Sequence, residues 1–136
     1  MMTVLKTMKL HIHVSEEDEF LLKDLTTKYS EACNALSEYL FQHDFPMNFM
    51  VLQNAMYQTI RDMYGLKSQM TISACKTVTA RYKSIQEQLY KNPYKWKDED
   101  DKWHYETRTL EWLWKPVMFR RPQADLVRNR DYSFVT

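Results

Sequence analysis

The sequence predicts an α+β fold: an antiparallel bundle of about three helices, inserted into an incomplete β-barrel-like module made from the N-terminal strand and the C-terminal strands. Three observations predict it. Apolar residues recur with helical period through most of the stretch from Ser15 to Lys91, β-type character stands at both ends, and there is one glycine in 136 residues. That single glycine argues against a glycine-rich phosphate loop, a dinucleotide fold or a many-stranded barrel with tight turns. It suits long helices joined by short polar breaks.

Thr3 to Val14 alternates. Val4, Met8, Leu10, Ile12 and Val14 share one face with Lys6, and Thr3, Thr7, Lys9, His11 and His13 share the other, as in a half-buried strand. His11 and His13 point the same way and could in principle hold a metal, but no third ligand is near, so the surface reading stands and no metal is expected. Ser15 opens a helix with Glu16, Glu17 and Asp18 in its first turn, where the helix dipole favours negative charge. Its stripe is Phe20, Leu21, Leu25, Tyr29, Ala32, Cys33, Leu36 and Leu40, and it ends before Asp44-Phe45-Pro46. Asn48 caps a second helix whose inward residues are Phe49, Leu52, Met56, Ile60 and Met63, with Gly65 closing it. The third helix, Ser68 to Lys91, buries Met70, Ala74, Val78, Tyr82, Ile85 and Leu89, with Ser68 as its N-cap and Pro93 just past its end.

Beyond Asn92, the aromatics Tyr94, Trp96 and Trp103 flank the charged run Lys97 to Lys102, which reads as an exposed hairpin or loop tip. From Tyr105 the character turns to β: residues 112–119 and 126–135 suggest two or three short strands, limited by Pro116 and Pro122. A lone first strand followed at once by helices has no sequential partner. It is therefore expected to pair with strands after Tyr105, which divides the chain into 1–14 and 105–136 (the two parts of the β module) and 15–104 (the helical insert). The final residues stop inside an apparent strand, so a truncated module is expected.

Composition bounds the function. A hydrophobic fraction of 44% with 14% aromatics belongs to a folded globular chain long enough for a real core. No apolar run is long enough to cross a bilayer and no signal peptide opens the sequence, so a cytoplasmic protein is expected, associated with the nucleoid when bound to DNA. Cys33 and Cys75, on separate helices without a motif, read as buried thiols. The net charge of +1 hides an asymmetry: residues 1–46 carry four Lys/Arg against eight Asp/Glu, while Arg61 to Lys95 carries seven against two and Lys115 to Arg130 five against one. Such segregation is what a polyanion-binding face needs, although a solvated basic surface has the same look.

No catalytic motif is present: there is no Cys-x-x-Cys, His-Glu-x-x-His, Walker loop or Gly-x-Ser-x-Gly. The acid runs Glu16 to Glu19 and Asp98 to Asp101 sit at a helix start and a loop tip and read as solvated. No cofactor is expected. The residues suited to phosphate and base contacts are Lys67, Ser68, Gln69, Ser73, Lys76 and Lys83 along the third helix, and Arg120, Arg121, Arg128 and Arg130 near the end, where Trp and Tyr are interleaved.

These residues resemble a known family. Gln123 to Val135 (Gln-Ala-Asp-Leu-Val-Arg-Asn-Arg-Asp-Tyr-Ser-Phe-Val) looks like the segment before the catalytic domain of TnpB proteins, transposon-encoded RNA-guided DNA endonucleases related to compact type V CRISPR effectors. Tyr64-Gly65-Leu66-Lys67-Ser68-Gln69-Met70, continuing to Ala80-Arg81-Tyr82-Lys83, and Tyr29-Ser30-Glu31-Ala32-Cys33-Asn34 are similar to the family's helical pattern. The resemblance implies a β-barrel wedge domain with an inserted helical recognition lobe. Its expected partners are a structured guide RNA and duplex DNA, and it reads a short motif beside the target. By position it implies Phe49, Gln53, Lys67, Ser68, Gln69 and Ile72 as motif readers. The family's RuvC-like nuclease domain would begin after Thr136, so the chain alone is expected not to cut DNA. It would act by itself or with a separate catalytic chain. Two other readings stay open: a protein–protein adaptor or inhibitor docking through an open β edge, and a non-functional transposon remnant.

Overall fold

The computed structural model describes residues 13–120. In chain order they form α1 (Glu16–Gln42), α2 (Phe49–Tyr64), α3 (Ser68–Lys91), β1 (Tyr94–Lys97), β2 (Trp103–Glu106) and a 3₁₀ turn, η1 (Leu110–Trp112). The fold is α+β: a three-helix bundle with a two-stranded antiparallel sheet that does not close. Most of the predicted first strand (Thr3 to Ile12) and its pairing with the C-terminal segment lie outside the described residues; its last two residues, His13 and Val14, are not in a strand, and Val14, expected on the buried face, is exposed. Also outside the described residues are Arg121, Arg128, Arg130 and the segment 126–135.

Local chemistry sets the helix ends. The Ser15 hydroxyl accepts from the Asp18 N–H at 3.2 Å, and the Asn48 Oδ1 accepts from the Met50 N–H at 2.9 Å, each satisfying a first-turn donor. Gly65 closes α2 in the left-handed region at φ 65°, donating its N–H to the Arg61 carbonyl at 2.9 Å. At the end of α1 the same region is taken by Asp44 (φ 59°) and Phe45 (φ 55°). A bulky residue there is strained, and Phe45 is held by burying part of its ring against Tyr82, 5.7 Å away. Ser68 is not the N-cap of α3. Lys67 holds that place without a side-chain cap, and the Ser68 hydroxyl turns to Tyr57 Oη at 2.6 Å.

The core is the meeting of three stripes: Tyr29, Ala32, Cys33, Leu36 and Leu40 of α1, Leu52 and Ile60 of α2, and Met70, Ala74, Cys75, Val78 and Tyr82 of α3. Cross-helix contacts fix the directions. Tyr29 Oη lies 3.1 Å from both Ser73 Oγ and Thr77 Oγ1, and Ser37 Oγ lies 2.7 Å from Tyr82 Oη, so α1 and α3 ascend together. Between them α2 runs the opposite way, placing Phe49 by Lys76 and Tyr57 by Ser68. Three expected core positions on the helices are exposed. Phe20 is 71% exposed, because the offset between Tyr29 and Ser73 leaves the first turns of α1 standing beyond the start of α3, and Leu21 shares that position. Met63 is 64% exposed in the last turn of α2, although Tyr64 and Leu66 just after it pack against the core.

The run Tyr94 to Glu106 is a hairpin, with Tyr94 opposite Glu106, Lys95 opposite Tyr105, Trp96 opposite His104 and Lys97 opposite Trp103. Asp98 organises its turn, its Oδ1 accepting from the Asp100 and Lys102 N–H groups at 2.9 and 3.0 Å. β2 thus runs across position 105. The apolar run 112–119 is not a strand: after η1 it forms an irregular strap over α1 and α3. Among the described residues, the backbone groups of Val117 and Phe119 bond to side chains rather than to a neighbouring strand. Val117 donates its N–H to Tyr82 Oη at 3.0 Å and accepts from Ser37 Oγ at 2.6 Å. Phe119 donates to Asn34 Oδ1 at 2.6 Å and accepts from Asn34 Nδ2 at 3.2 Å. Pro116 has no N–H to offer a ladder in any case.

Candidate nucleic-acid interface

Two files of side chains meet where α2 lies against α3. On α2, Phe49, Gln53, Tyr57 and Arg61 stand four apart and so occupy one face of the helix. On α3, Gln69, Ile72, Lys76 and Lys83 lie along the outward strip opposite the buried stripe, with Lys76 and Lys83 two turns apart, about 10 Å along the axis. The antiparallel register brings the files together. The Lys76 ammonium sits over the Phe49 ring, 5.1 Å from its centroid, a cation–π contact that restrains a long cationic side chain at the surface. Two turns along α2, Tyr57 Oη meets Ser68 Oγ at 2.6 Å, and the same register sets Gln53 level with Ile72.

Arg61 extends the strip. Its guanidinium lies 5.7 Å from the Tyr57 ring centroid, one nitrogen reaches Tyr57 Oη at 3.5 Å, and Nε donates to the Leu66 carbonyl at 3.4 Å. The hydrogen bond from Ser68, then the bond and charge of Arg61, hold the Tyr57 phenol below its ordinary range against the opposing effect of burial. At the adjacent end of α3, no side chain caps the first-turn amides, so the positive end of the helix dipole opens beside Lys67 and Ser68.

The residues expected from sequence divide as follows. Phe49, Gln53, Lys67, Ser68, Gln69 and Lys76 are gathered at the α2–α3 junction, and Lys83 continues the strip along α3. Ser73 lies at its edge, turned to Tyr29 of α1. Arg120 is exposed and follows Phe119, which is fixed to α1 through Asn34, so nothing draws it to the strip. Tyr57 and Arg61 were not anticipated as part of the site. Their spacing from Phe49 and Gln53 was the available signal.

The strip is polar and cationic, carrying Arg61, Lys67, Lys76 and Lys83. Among the described residues, no group of three or more His, Cys, Asp or Glu side chains is placed to hold a metal ion. No buried side-chain nitrogen or oxygen there lacks a hydrogen-bond partner. Cys33 and Cys75 are buried thiols, and burial pushes the Cys75 thiol up to about 11, far from a nucleophile's range. No described helix is long and apolar enough to cross a membrane.

The described residues therefore define an α+β fold with a cationic, aromatic-braced strip where α2 meets α3. No family model matches the chain, and neither a curated protein nor a solved structure matches it.

Proposed function

We propose that this chain is a non-catalytic nucleic-acid-binding module that grips a structured guide RNA and target-adjacent duplex DNA through the α2–α3 strip, as the TnpB resemblance implies. It works in the cytoplasm, on the nucleoid when DNA is bound, alone or beside a separate catalytic chain. One observation carries the reading: the contact of Lys76 over Phe49, beside the linked Tyr57, Ser68 and Arg61. A cation restrained by an aromatic ring loses less side-chain entropy on meeting a phosphate than a free lysine does. Gln53 and Gln69 carry the amide donors and acceptors that can reach base edges.

The test is binding of a structured RNA and of a DNA duplex across a salt series. Phosphate contacts release counterions, so affinity falls steeply with salt, by roughly one unit of log–log slope per neutralised phosphate. Lys76→Glu with Lys83→Glu is expected to weaken binding at least tenfold and to flatten the slope by about two, with the helical circular-dichroism signal intact because both side chains are exposed. Unchanged affinity rejects the strip as the contact face. Affinity indifferent to salt favours a protein partner instead.

A further inference from the structure

The β1–β2 hairpin stands off the bundle, and its register sorts its side chains onto two unlike faces. One face holds Tyr94, Trp96, His104 and Glu106. Its rings are already used: Tyr94 stacks on Trp96 at 5.5 Å, Trp96 stacks on His104 at 5.2 Å, and Tyr94 leans on Trp112 of η1 at 5.8 Å, which ties the hairpin down. The other face holds Lys95, Lys97, Trp103 and Tyr105, with no acid among them. There Lys95 lies 5.6 Å from the Tyr105 centroid and Lys97 lies 5.1 Å from that of Trp103. Trp103 is 56% and Tyr105 62% exposed. The acids of the hairpin are confined to its turn, from Asp98 to Asp101, and to Glu106 on the opposite face.

We infer that this second face is a binding site for single-stranded nucleic acid, separate from the α2–α3 strip. Bases stack on Trp103 and Tyr105 while Lys95 and Lys97 meet the phosphates between them. Charge complementarity decides the class of ligand. Two cations without an acid on an otherwise mixed-charge hairpin suit a polyanion, and two large open rings suit a polyanion that carries π surfaces. The two rings lie two residues apart on one strand, about 7 Å. That spacing fits bases splayed from a single strand, whereas a duplex keeps its bases stacked inside and offers only groove edges.

The test uses the full chain and labelled twelve-nucleotide oligouridylate and oligothymidylate, read by fluorescence anisotropy at several salt concentrations. Trp103→Leu with Tyr105→Leu keeps apolar bulk but removes both π faces, and is expected to weaken binding of both oligonucleotides at least tenfold. Trp103→Phe with Tyr105→Phe keeps a ring at each place and is expected to stay within about threefold of the parent, which shows that loss in the leucine variant is not loss of the hairpin. Equal affinity for the two oligonucleotides marks stacking and phosphate contact alone. Preference for the RNA adds a 2′-hydroxyl contact to the same site. Lys76→Glu with Lys83→Glu is expected to weaken duplex binding more than oligonucleotide binding, and Trp103→Leu with Tyr105→Leu to do the reverse, so failure of the α2–α3 strip and failure of this site are read separately. The inference is overturned if the parent chain does not bind the oligonucleotides, if the leucine variant binds as the parent does, or if poly-glutamate competes as well as oligothymidylate of equal charge.

Discussion

Asn34 on α1 pairs with the backbone of Phe119 as a neighbouring strand would: its Oδ1 accepts the Phe119 N–H at 2.6 Å while its Nδ2 donates to the Phe119 carbonyl at 3.2 Å. One side chain thus completes both backbone groups of a residue that, among the described residues, has no strand beside it. Asn34→Ala leaves both groups part-buried without these partners, at a cost of about 1 to 3 kcal/mol. Hydrogen exchange is the direct measurement. The Phe119 amide should exchange much faster in the variant while amides in the middle of α2 keep their protection, and equal protection at Phe119 would show that Asn34 does not hold the strap.

Tyr82 secures the other half of the strap. Its hydroxyl oxygen accepts the Val117 N–H at 3.0 Å and lies 2.7 Å from Ser37 Oγ and 3.2 Å from the Ser37 carbonyl. Tyr82→Phe keeps the ring and its packing, so the change isolates the hydroxyl. The expected loss is about 1 to 3 kcal/mol in urea unfolding, because the Val117 N–H is left without its acceptor. Combined with Asn34→Ala, the effect should fall short of the sum, since either change alone frees the same segment. Strict additivity would mean that the two residues anchor independent pieces of chain.

These two residues also mark what the sequence could and could not reveal. The stripes of α1 and α3 are legible because burial repeats every three or four residues, and the Ser15, Asn48 and Gly65 ends are legible because capping involves only near neighbours. The strap is not. Trp112 to Phe119 has the apolar, aromatic composition of a strand, and only the tertiary position of Asn34, Ser37 and Tyr82 turns its hydrogen bonds toward side chains. At the site, the seven-residue step from Gln69 to Lys76 to Lys83 reads as one face, whereas Ser73 falls at the border between outward and inward, where a 100° step cannot choose. Ser68 looked like a cap because serine usually is one. The hydroxyl of Tyr57, eleven residues earlier, claims it instead.

The hairpin turn should loosen in acid. The hydrogen bond from His104, 2.6 Å away, followed by the Lys102 and Asp100 N–H groups, holds the Asp98 carboxyl below its ordinary value against the opposing effect of burial. A depressed carboxylate pKa contributes stability above the unfolded value, about 3.9, and that contribution is lost as pH falls through the folded value. The amide resonances of Asp100 and Lys102 should therefore shift together with a midpoint below about 3.9, and Asp98→Asn should abolish the shift. A midpoint at or above the ordinary carboxylate value would show that these contacts do not favour the ionised form.

Alkali probes the bundle core through Cys75. Burial, only partly offset by a hydrogen bond to its own backbone, raises this thiol from 9.0 to about 11. A raised pKa gives stability that is complete below the unfolded value and is lost as pH rises through the folded one, because the unfolded chain releases its proton first. At pH 10.5 the loss from this thiol amounts to about 2 kcal/mol, at 1.36 kcal/mol per unit. Other titrating groups contribute too, so the comparison is between the parent and Cys75→Ala, each unfolded in urea at pH 8 and pH 10.5. The variant starts less stable because a buried sulfur is gone, by a cost that does not depend on pH. It should nevertheless lose about 2 kcal/mol less than the parent between the two pH values. Parallel losses in the two proteins would mean that Cys75 ionises as readily in the folded bundle as in the open chain.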